Sequence, residues 1–352
     1  MAETVQVGVV GCGYWGPNLI RNLNSLADCT LSAVCDADRA RLEYLHGFYP
    51  QAAPFTGLAE MLADADLDAV AIATPVRLHH PMAMACLEAG KHTFIEKPMA
   101  ASSEACRELV DLAARRGRVL MVGHTFLYSP PVRMIKEIIE SGDLGEIRYI
   151  AARRLNLGLF QKDINVVWDL APHDISIVSF IMNEMPCAVN CQGKANVTRD
   201  IEDVANMTLF FPGGGFATVQ SSWLDPRKVR EMTIVGTRRM IVYDDVEPLQ
   251  KIKIYDQRVE VPPHYDTFAE FQYAYHYGDM HAPRILQEEP LKLECRHFVD
   301  CIRNGEQPLT DGRSGLALVR TLEAACESLR AGGGRVEITA AGPAGGRREH
   351  EG

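Results

Sequence analysis

The segment Thr4-Val-Gln-Val-Gly-Val-Val-Gly11-Cys12-Gly13-Tyr14-Trp15-Gly16 constrains the fold more than any other part of the chain. An apolar strand runs directly into G-x-G-x-x-G, and a helix-compatible stretch follows from about Asn18 to Leu26. Gly11 permits a tight turn out of the strand. Gly13, lacking a Cβ, lets the backbone approach a pyrophosphate. Gly16 allows close packing of helix on strand, and the helix N-terminus offers free N–H groups to an anion. Glycine-rich turns of this kind also occur where nothing binds, so the next strand matters. Cys29-Thr-Leu-Ser-Ala-Val-Cys35 ends at Asp36. A carboxylate there accepts hydrogen bonds from the adenosine ribose and repels a 2′-phosphate, which favours NAD. Arg39 and Arg41 lie close by and keep NADP open.

The first 125 residues alternate strands (Val5–Val10, Leu31–Cys35, Ala69–Thr74, Thr93–Glu96, Val119–Gly123) with helical stretches near Asp38–Leu45, Leu58–Ala63, Pro81–Ala89 and Ser103–Arg115. This rhythm predicts an α/β Rossmann unit over 1–125, with ligands at the carboxyl ends of its parallel strands. Thr74-Pro75, Glu96-Lys97-Pro98 and His124 all fall at such ends. From about Tyr149 the pattern becomes consecutive strands: Ile147–Leu155, Val189–Val197, Ala205–Phe211, Phe216–Trp223, Glu231–Val235, Met240–Tyr243 and Lys251–Ile254. Pro212-Gly-Gly-Gly215 reads as a hairpin turn between two of them. An open, mostly antiparallel sheet in a second α+β unit over 126–331 is expected, closed by helices at about Leu293–Arg303 and Arg313–Arg330. The Gly- and Ala-rich tail 332–352 is expected to fray.

A net charge of -10 disfavours a nucleic-acid partner. No run approaches the ~18 apolar residues of a membrane span, and the first strand begins too early for a signal peptide. The ten cysteines are scattered without C-x-x-C and read as reduced thiols in a cytoplasmic protein. Adjacent His79 and His80 lack the spacing of a helical zinc pair, so no metal is expected.

Trp168-Asp169-Leu-Ala-Pro172-His173-Asp174 opens a helix running through Met182. Asp169 and His173, four apart, share a helix face, and Pro172 is placed in the first turn. Asp174 points elsewhere or supports the pair from behind. A nicotinamide implies hydride removal beside a hydroxyl whose proton must leave. Histidine suits that transfer, a lysine stabilises the developing alkoxide, and a carboxylate fixes the histidine or holds a substrate hydroxyl.

Gly11-x-Gly13-x-x-Gly16, Glu96-Lys97-Pro98 and Asp169-x-x-x-His173 together resemble the signatures of the Gfo/Idh/MocA oxidoreductases, over Val5 to about Arg330. The resemblance implies NAD or NADP, a polyol, sugar or sugar-nucleotide substrate, and a homodimer or homotetramer through the C-terminal sheet. It assigns Lys97 as the catalytic lysine, His173 as acid/base and Asp169 as the orienting carboxylate. It places Thr74, Pro75, Glu96 and Trp168 at cofactor contacts. Gly11, Cys12, Gly13, Tyr14, Trp15, Gly16, Asp36, His79, Lys97 and Pro98 complete the expected cofactor set. Gly-Tyr-Trp-Gly-Pro-Asn18, Trp168–Asp174 and Glu289-Pro-Leu-Lys-x-Glu294-Cys295 are similar to a subgroup of sugar-nucleotide and aminosugar 3-dehydrogenases, which includes aminoglycoside 3-dehydrogenases of antibiotic pathways. Such enzymes prepare a ketone for an aminotransferase partner, while some relatives reduce a 3-ketosugar instead; inositol oxidation is a further alternative. A non-catalytic NAD(P) sensor is disfavoured because Lys97 and His173 are both kept. On the substrate side, Arg154, Lys97, Asp169, His173 and Tyr275 are candidates. Tyr273, Tyr275, Tyr277 and His281 form an aromatic cluster in an irregular stretch that suits a pocket or an oligomer interface. The loop before Val167 is positioned to fold over a sugar.

Overall fold

The computed structural model describes residues 4–260 and 274–339. The first unit runs β1 (Val5–Val10), α1 (Gly16–Asn24), β2 (Cys29–Cys35), α2 (Arg39–His46), β3 (Ala53–Phe55), α3 (Leu58–Asp64), β4 (Ala69–Ile72), α4 (His79–Glu88), β5 (His92–Glu96), α5 (Ser103–Arg116) and β6 (Leu120–Gly123). The six strands are parallel in the order β3-β2-β1-β4-β5-β6. The strand order reverses between β1 and β4, and that reversal opens a crevice at the strands' carboxyl ends. β1 and β4 are almost continuously buried and apolar, as a sheet covered on both faces requires. β3 escapes the sequence pattern because it is three residues long and carries Pro54, which is tolerated on this edge strand.

The chain continues as α6 (Pro130–Glu140), β7 (Ile147–Leu155), α7 (Val166–Met182), β8 (Ala188–Lys194), β9 (Val204–Phe210), β10 (Phe216–Ser222), β11 (Val229–Gly236), β12 (Met240–Asp244), β13 (Ile252–Glu260) and β14 (Ala274–His281). It ends with α8 (Pro290–Asn304), α9 (Gly312–Arg330) and β15 (Val336–Glu337). The nine strands form one open sheet, β14-β13-β12-β11-β7-β10-β9-β8-β15. All its pairings are antiparallel except β7 with β10. That single parallel pair follows from α7, which carries the chain across the sheet face between β7 and β8 and packs on β7 and β10.

Four expectations need correction. The stretch holding Tyr275 and Tyr277 is not irregular: it is β14, paired with β13 and mostly exposed at the sheet edge, while Tyr273 lies outside the described residues. The start of the Gly-rich tail is ordered, because Val336–Glu337 pair with β8. α6 has no counterpart in the sequence reading; Pro130 and Pro131 at its start obscured a strongly amphipathic helix. Pro172 is not in a first turn. Asn165 caps α7 through the Trp168 N–H at 3.2 Å, so the helix begins earlier and Pro172 lies inside it.

α8 and α9 return to the first unit. Arg21 meets Glu289, Arg303 meets Asp28, and the Val122 N–H donates to the Thr310 carbonyl. Gly315 of α9 sits against β6 so closely that a Cβ would stand 2.7 Å from Val122. These contacts hold α8 against α1 and the start of β2, and the segment before α9 against β6.

Candidate active site

The glycine turn has the shape its sequence demands. Gly11 adopts φ +93°, and a Cβ there would meet the Ala73 carbonyl oxygen at 2.6 Å. At Gly16 it would stand 1.8 Å from the Gly11 oxygen, so α1 approaches the turn as only glycine allows. At Gly13 the nearest protein atom would be Arg41 Nη1, at 3.5 Å. Gly13 therefore keeps open a position that no protein backbone fills. α1 begins at Gly16, directly after this turn, and has no side-chain cap. An open cradle, an uncapped helix and Asp36 fit a dinucleotide pyrophosphate and ribose. Asp36 Oδ2 accepts the Cys12 N–H at 2.7 Å and Oδ1 the Asp38 N–H at 2.8 Å. Arg41 reaches Asp36 at 3.5 Å with its guanidinium half exposed.

Other members of the expected cofactor set divide by position. The Cys12 thiol is buried, pushed up to about 12 by loss of solvent and the Asp36 charge, and faces the Cys35 carbonyl. Its backbone rather than its side chain belongs to the turn. Tyr14 is fully exposed, whereas the Trp15 indole donates to Glu96 Oε1 at 2.5 Å. His79 is buried, with Nδ1 2.8 Å from the Pro98 carbonyl and Nε2 2.8 Å from the Thr74 carbonyl. It clasps the two loops that follow β4 and β5 and reaches a ligand only through them. Thr74 and Pro75 lie in the loop after β4 and Trp168 in the first turn of α7, each at least partly exposed.

Lys97, Asp169 and His173 are brought together. Lys97 Nζ donates to the Asp169 carbonyl at 2.9 Å and lies 3.8 Å from its Oδ1. Asp169 Oδ2 accepts the Trp223 indole N–H at 2.9 Å, which fixes the carboxylate. His173 stands one turn along α7, its ring edge-on to Phe126 at 5.0 Å between centroids. Burial, then the positive charges of Lys97 and Arg154, hold the imidazole well below its ordinary range, so it is neutral at working pH. Burial also lowers Lys97, opposed by Asp169 and Glu96.

Arg154 is a different matter from the substrate contact expected. It is 5% exposed and forms two hydrogen bonds with Asp174, at 2.8 and 2.9 Å. Its guanidinium also lies over Phe126, 4.7 Å from the ring centre. It braces β7 against α7 beneath the catalytic face. Tyr275, on β14, is separated from β7 by β13, β12 and β11, and does not enter this site within one chain. Trp223, Phe126 and the pairing of Asp174 with Arg154 were not read from the sequence. Their contacts cross from β10, from the turn after β6 and from β7, and no spacing along the chain announces them.

Residues 5–124 match the oxidoreductase family with an NAD-binding Rossmann fold, and residues 132–242 match the GFO/IDH/MocA C-terminal domain. The chain belongs to the GFO/IDH/MocA oxidoreductase family. A curated relative is the D-apiose dehydrogenase of Paraburkholderia graminis, 25% identical over 333 residues that cover 92% of this chain and 87% of the relative. Among solved structures, the UDP-N-acetylglucosamine 3-dehydrogenase GnnA from Acidithiobacillus ferrooxidans superimposes with TM-score 0.77 at 23% identity, over 94% of this chain and 98% of its own. GenD2 from gentamicin A biosynthesis, in complex with NAD, gives TM-score 0.80 at 23% identity, over 97% and 98%. At such identities the likeness is one of fold. As a GFO/IDH/MocA member this chain is an oxidoreductase with an NAD-binding domain. Among the described residues, no three His, Cys, Asp or Glu side chains are grouped to hold a metal ion, and no helix is long and apolar enough to cross a membrane.

Proposed function

We propose that this protein oxidises a secondary hydroxyl of a hexose, at C3, with NAD, in a sugar nucleotide or an aminoglycoside, making a ketone for an aminotransferase. The observation that carries the reading is Lys97 docked on Asp169 one helical turn from a neutral His173, beside the glycine turn. Bound NAD supplies the hydride acceptor. The chain's own groups do the rest. A His173 ring nitrogen accepts the hydroxyl proton, for which the neutral form is required. Lys97 stabilises the oxygen as its charge develops. Asp169, held by Trp223, orients the substrate hydroxyl. A histidine kept neutral is poised as a base, which favours oxidation over reduction of a ketosugar. Retention of both Lys97 and His173 argues against a sensor without turnover.

The likeness to GnnA, a UDP-N-acetylglucosamine 3-dehydrogenase, supports a sugar nucleotide, and the likeness to GenD2, from gentamicin A biosynthesis, supports an aminosugar antibiotic substrate. The face of the nine-stranded sheet carrying exposed Tyr149 and Phe216, stacked at 5.9 Å, suits self-association into a homodimer or homotetramer. A cytoplasmic location fits ten cysteines that are all unpaired.

The test is NADH formation at 340 nm with UDP-N-acetylhexosamines, inositols and aminoglycosides, with an aminotransferase and glutamate to draw off the ketone. NADP is run in parallel. A signal confined to UDP-sugars assigns sugar-nucleotide chemistry, and one confined to aminoglycosides assigns antibiotic modification. Turnover of inositols alone refutes the hexose C3 reading.

A further inference from the structure

Two carboxyl groups stand near the carboxyl end of β5 with no cation bonded to either among the described residues. Glu96 is the last residue of β5, at the carboxyl end of the parallel sheet, and is only partly buried. Its Oε1 accepts the Trp15 indole N–H at 2.5 Å and its Oε2 the Lys97 backbone N–H at 3.3 Å. Gly123 closes the far side, where a Cβ would stand 3.0 Å from the carboxylate. Behind it lies Glu294 of α8, 0% exposed. Glu294 Oε2 accepts the Thr125 hydroxyl at 2.7 Å, while its Oε1 is buried without a partner among the described residues. The nearest ammonium, Lys97, donates to the Asp169 carbonyl instead. Burial disfavours the ionised form of Glu96, and burial together with the Glu96 charge disfavours that of Glu294, so an incoming positive charge would favour ionisation at this place.

The fold says where that charge arrives. Asp36 ends β2, on one side of β1. A dinucleotide laid over the glycine turn with its adenosine at Asp36 extends its other half toward the ends of β4, β5 and β6. Glu96 ends β5, and the Trp15 indole ties it to the glycine turn. The oxidised nicotinamide ring carries a positive charge and the reduced ring is neutral.

We propose that Glu96 selects the redox state of the cofactor: it gives up a proton to solvent as NAD+ binds, and keeps it when NADH binds. The carboxylic acid becomes a carboxylate, the proton goes to bulk water, and the oxidised ring supplies the counter-charge. Glu294 stays protonated behind it. The inference rests on the cofactor reading and is independent of the substrate.

The neighbouring groups leave a clear window. Removal from water pushes Glu96 up to about 7, against the indole donor and Lys97. Glu294 is held well above the ordinary carboxyl range by burial and Glu96, and the Cys295 thiol beside it is also raised. On the loop after β6, burial drops His124 to about 4, and His173 lies well below 6.5. Both histidines are neutral above pH 6. Burial lowers Lys97 from its ordinary range, opposed by Asp169 and Glu96.

The experiment is calorimetric titration of the full chain with NAD+ and with NADH, from pH 6 to 8.5, each in phosphate and in an amine buffer. The difference between buffers counts protons. NAD+ should release nearly one proton at pH 6, about half at pH 7 and almost none at pH 8.5, because the free enzyme is by then ionised. Its Kd should tighten about tenfold between pH 6 and 8, with the Kd of NADH flat. Glu96→Gln should abolish both the release and the pH slope. Glu294→Gln should leave them as in the wild type, and loss of release there would overturn the assignment to Glu96. Heat independent of buffer with NAD+, or equal release with NADH, would overturn the proposal outright.

Discussion

Asp174→Asn isolates what Arg154 does. The substitution keeps shape and hydrogen-bonding capacity but removes the negative charge from a pair whose side chains are 6% and 5% exposed. Arg154 then remains buried and charged over Phe126, with its bidentate counter-ion gone and only the less direct charge of Asp245 still favouring it. Leaving one partner of a buried pair uncompensated costs about 3–5 kcal/mol, far above the value of a surface bridge. With an unfolding entropy of about 2 cal/mol/K per residue, a chain of this length should lose roughly 4–7 °C in Tm. The assay is circular dichroism melting without cofactor at pH 7.5, with urea titration as a second measure. The double replacement Arg154→Met with Asp174→Leu should melt above the single variant, because an apolar pair leaves no stranded charge. A single variant within a degree of wild type would refute the account of Arg154 as a brace. So would an Arg154→Met variant with unchanged Tm and a selectively raised substrate KM, which is the signature of a substrate contact.

Lys97→Met and His173→Ala should each lower kcat about a hundredfold or more with NAD binding retained by calorimetry; wild-type turnover in both would remove them from the mechanism. Because His173 is held well below 6.5, the acid limb of kcat at saturating NAD should fall below that pH: the base is competent above its own pKa and is lost on acidification through it. A limb at or above 6.5 would contradict the neutral base. Asp36→Ala should weaken NAD far more than NADP, whereas equal weakening would refute the ribose role; it also releases the Cys12 N–H, so Tm is followed alongside. Trp223→Phe removes the donor to Asp169 while keeping an aromatic ring, and a charge-assisted bond of about 1.5–3 kcal/mol implies at least a tenfold loss in kcat/KM. Unchanged kinetics would show that Asp169 is oriented by other means.

The legible part of this chain was what repeats locally. The β1–Gly11–α1 turn declares itself because phosphate chemistry and steric contact demand glycines at fixed intervals. The β-rich half showed its alternation, so β7 was read residue for residue. What stayed hidden has no local period. Nothing in the order of residues says that Trp223 at the end of β10 meets Asp169, since β10 is brought beside β7 only by the crossover through α7. Arg154 looked available because arginine at a strand end usually is. Its partner Asp174 lies on the facing helix, one residue after His173, and only packing reveals the pair. His79 looked like a ligand contact for a similar reason, and Asn165, an ordinary asparagine in sequence, moved the start of α7 past Pro172.

Pro172 itself gives the site an unusual property. A proline within α7 has no N–H to return to the Trp168 carbonyl, and its ring crowds the preceding turn. Lys97 docks in that loosened turn, on the main-chain oxygen of residue 169. A carbonyl oxygen is the same whatever side chain is attached. The anchor of Lys97 is thus written into the path of the backbone and not into the identity of residue 169. Descendants of this sequence are free to change the Asp169 side chain, and with it the substrate contact proposed for it, without setting Lys97 adrift.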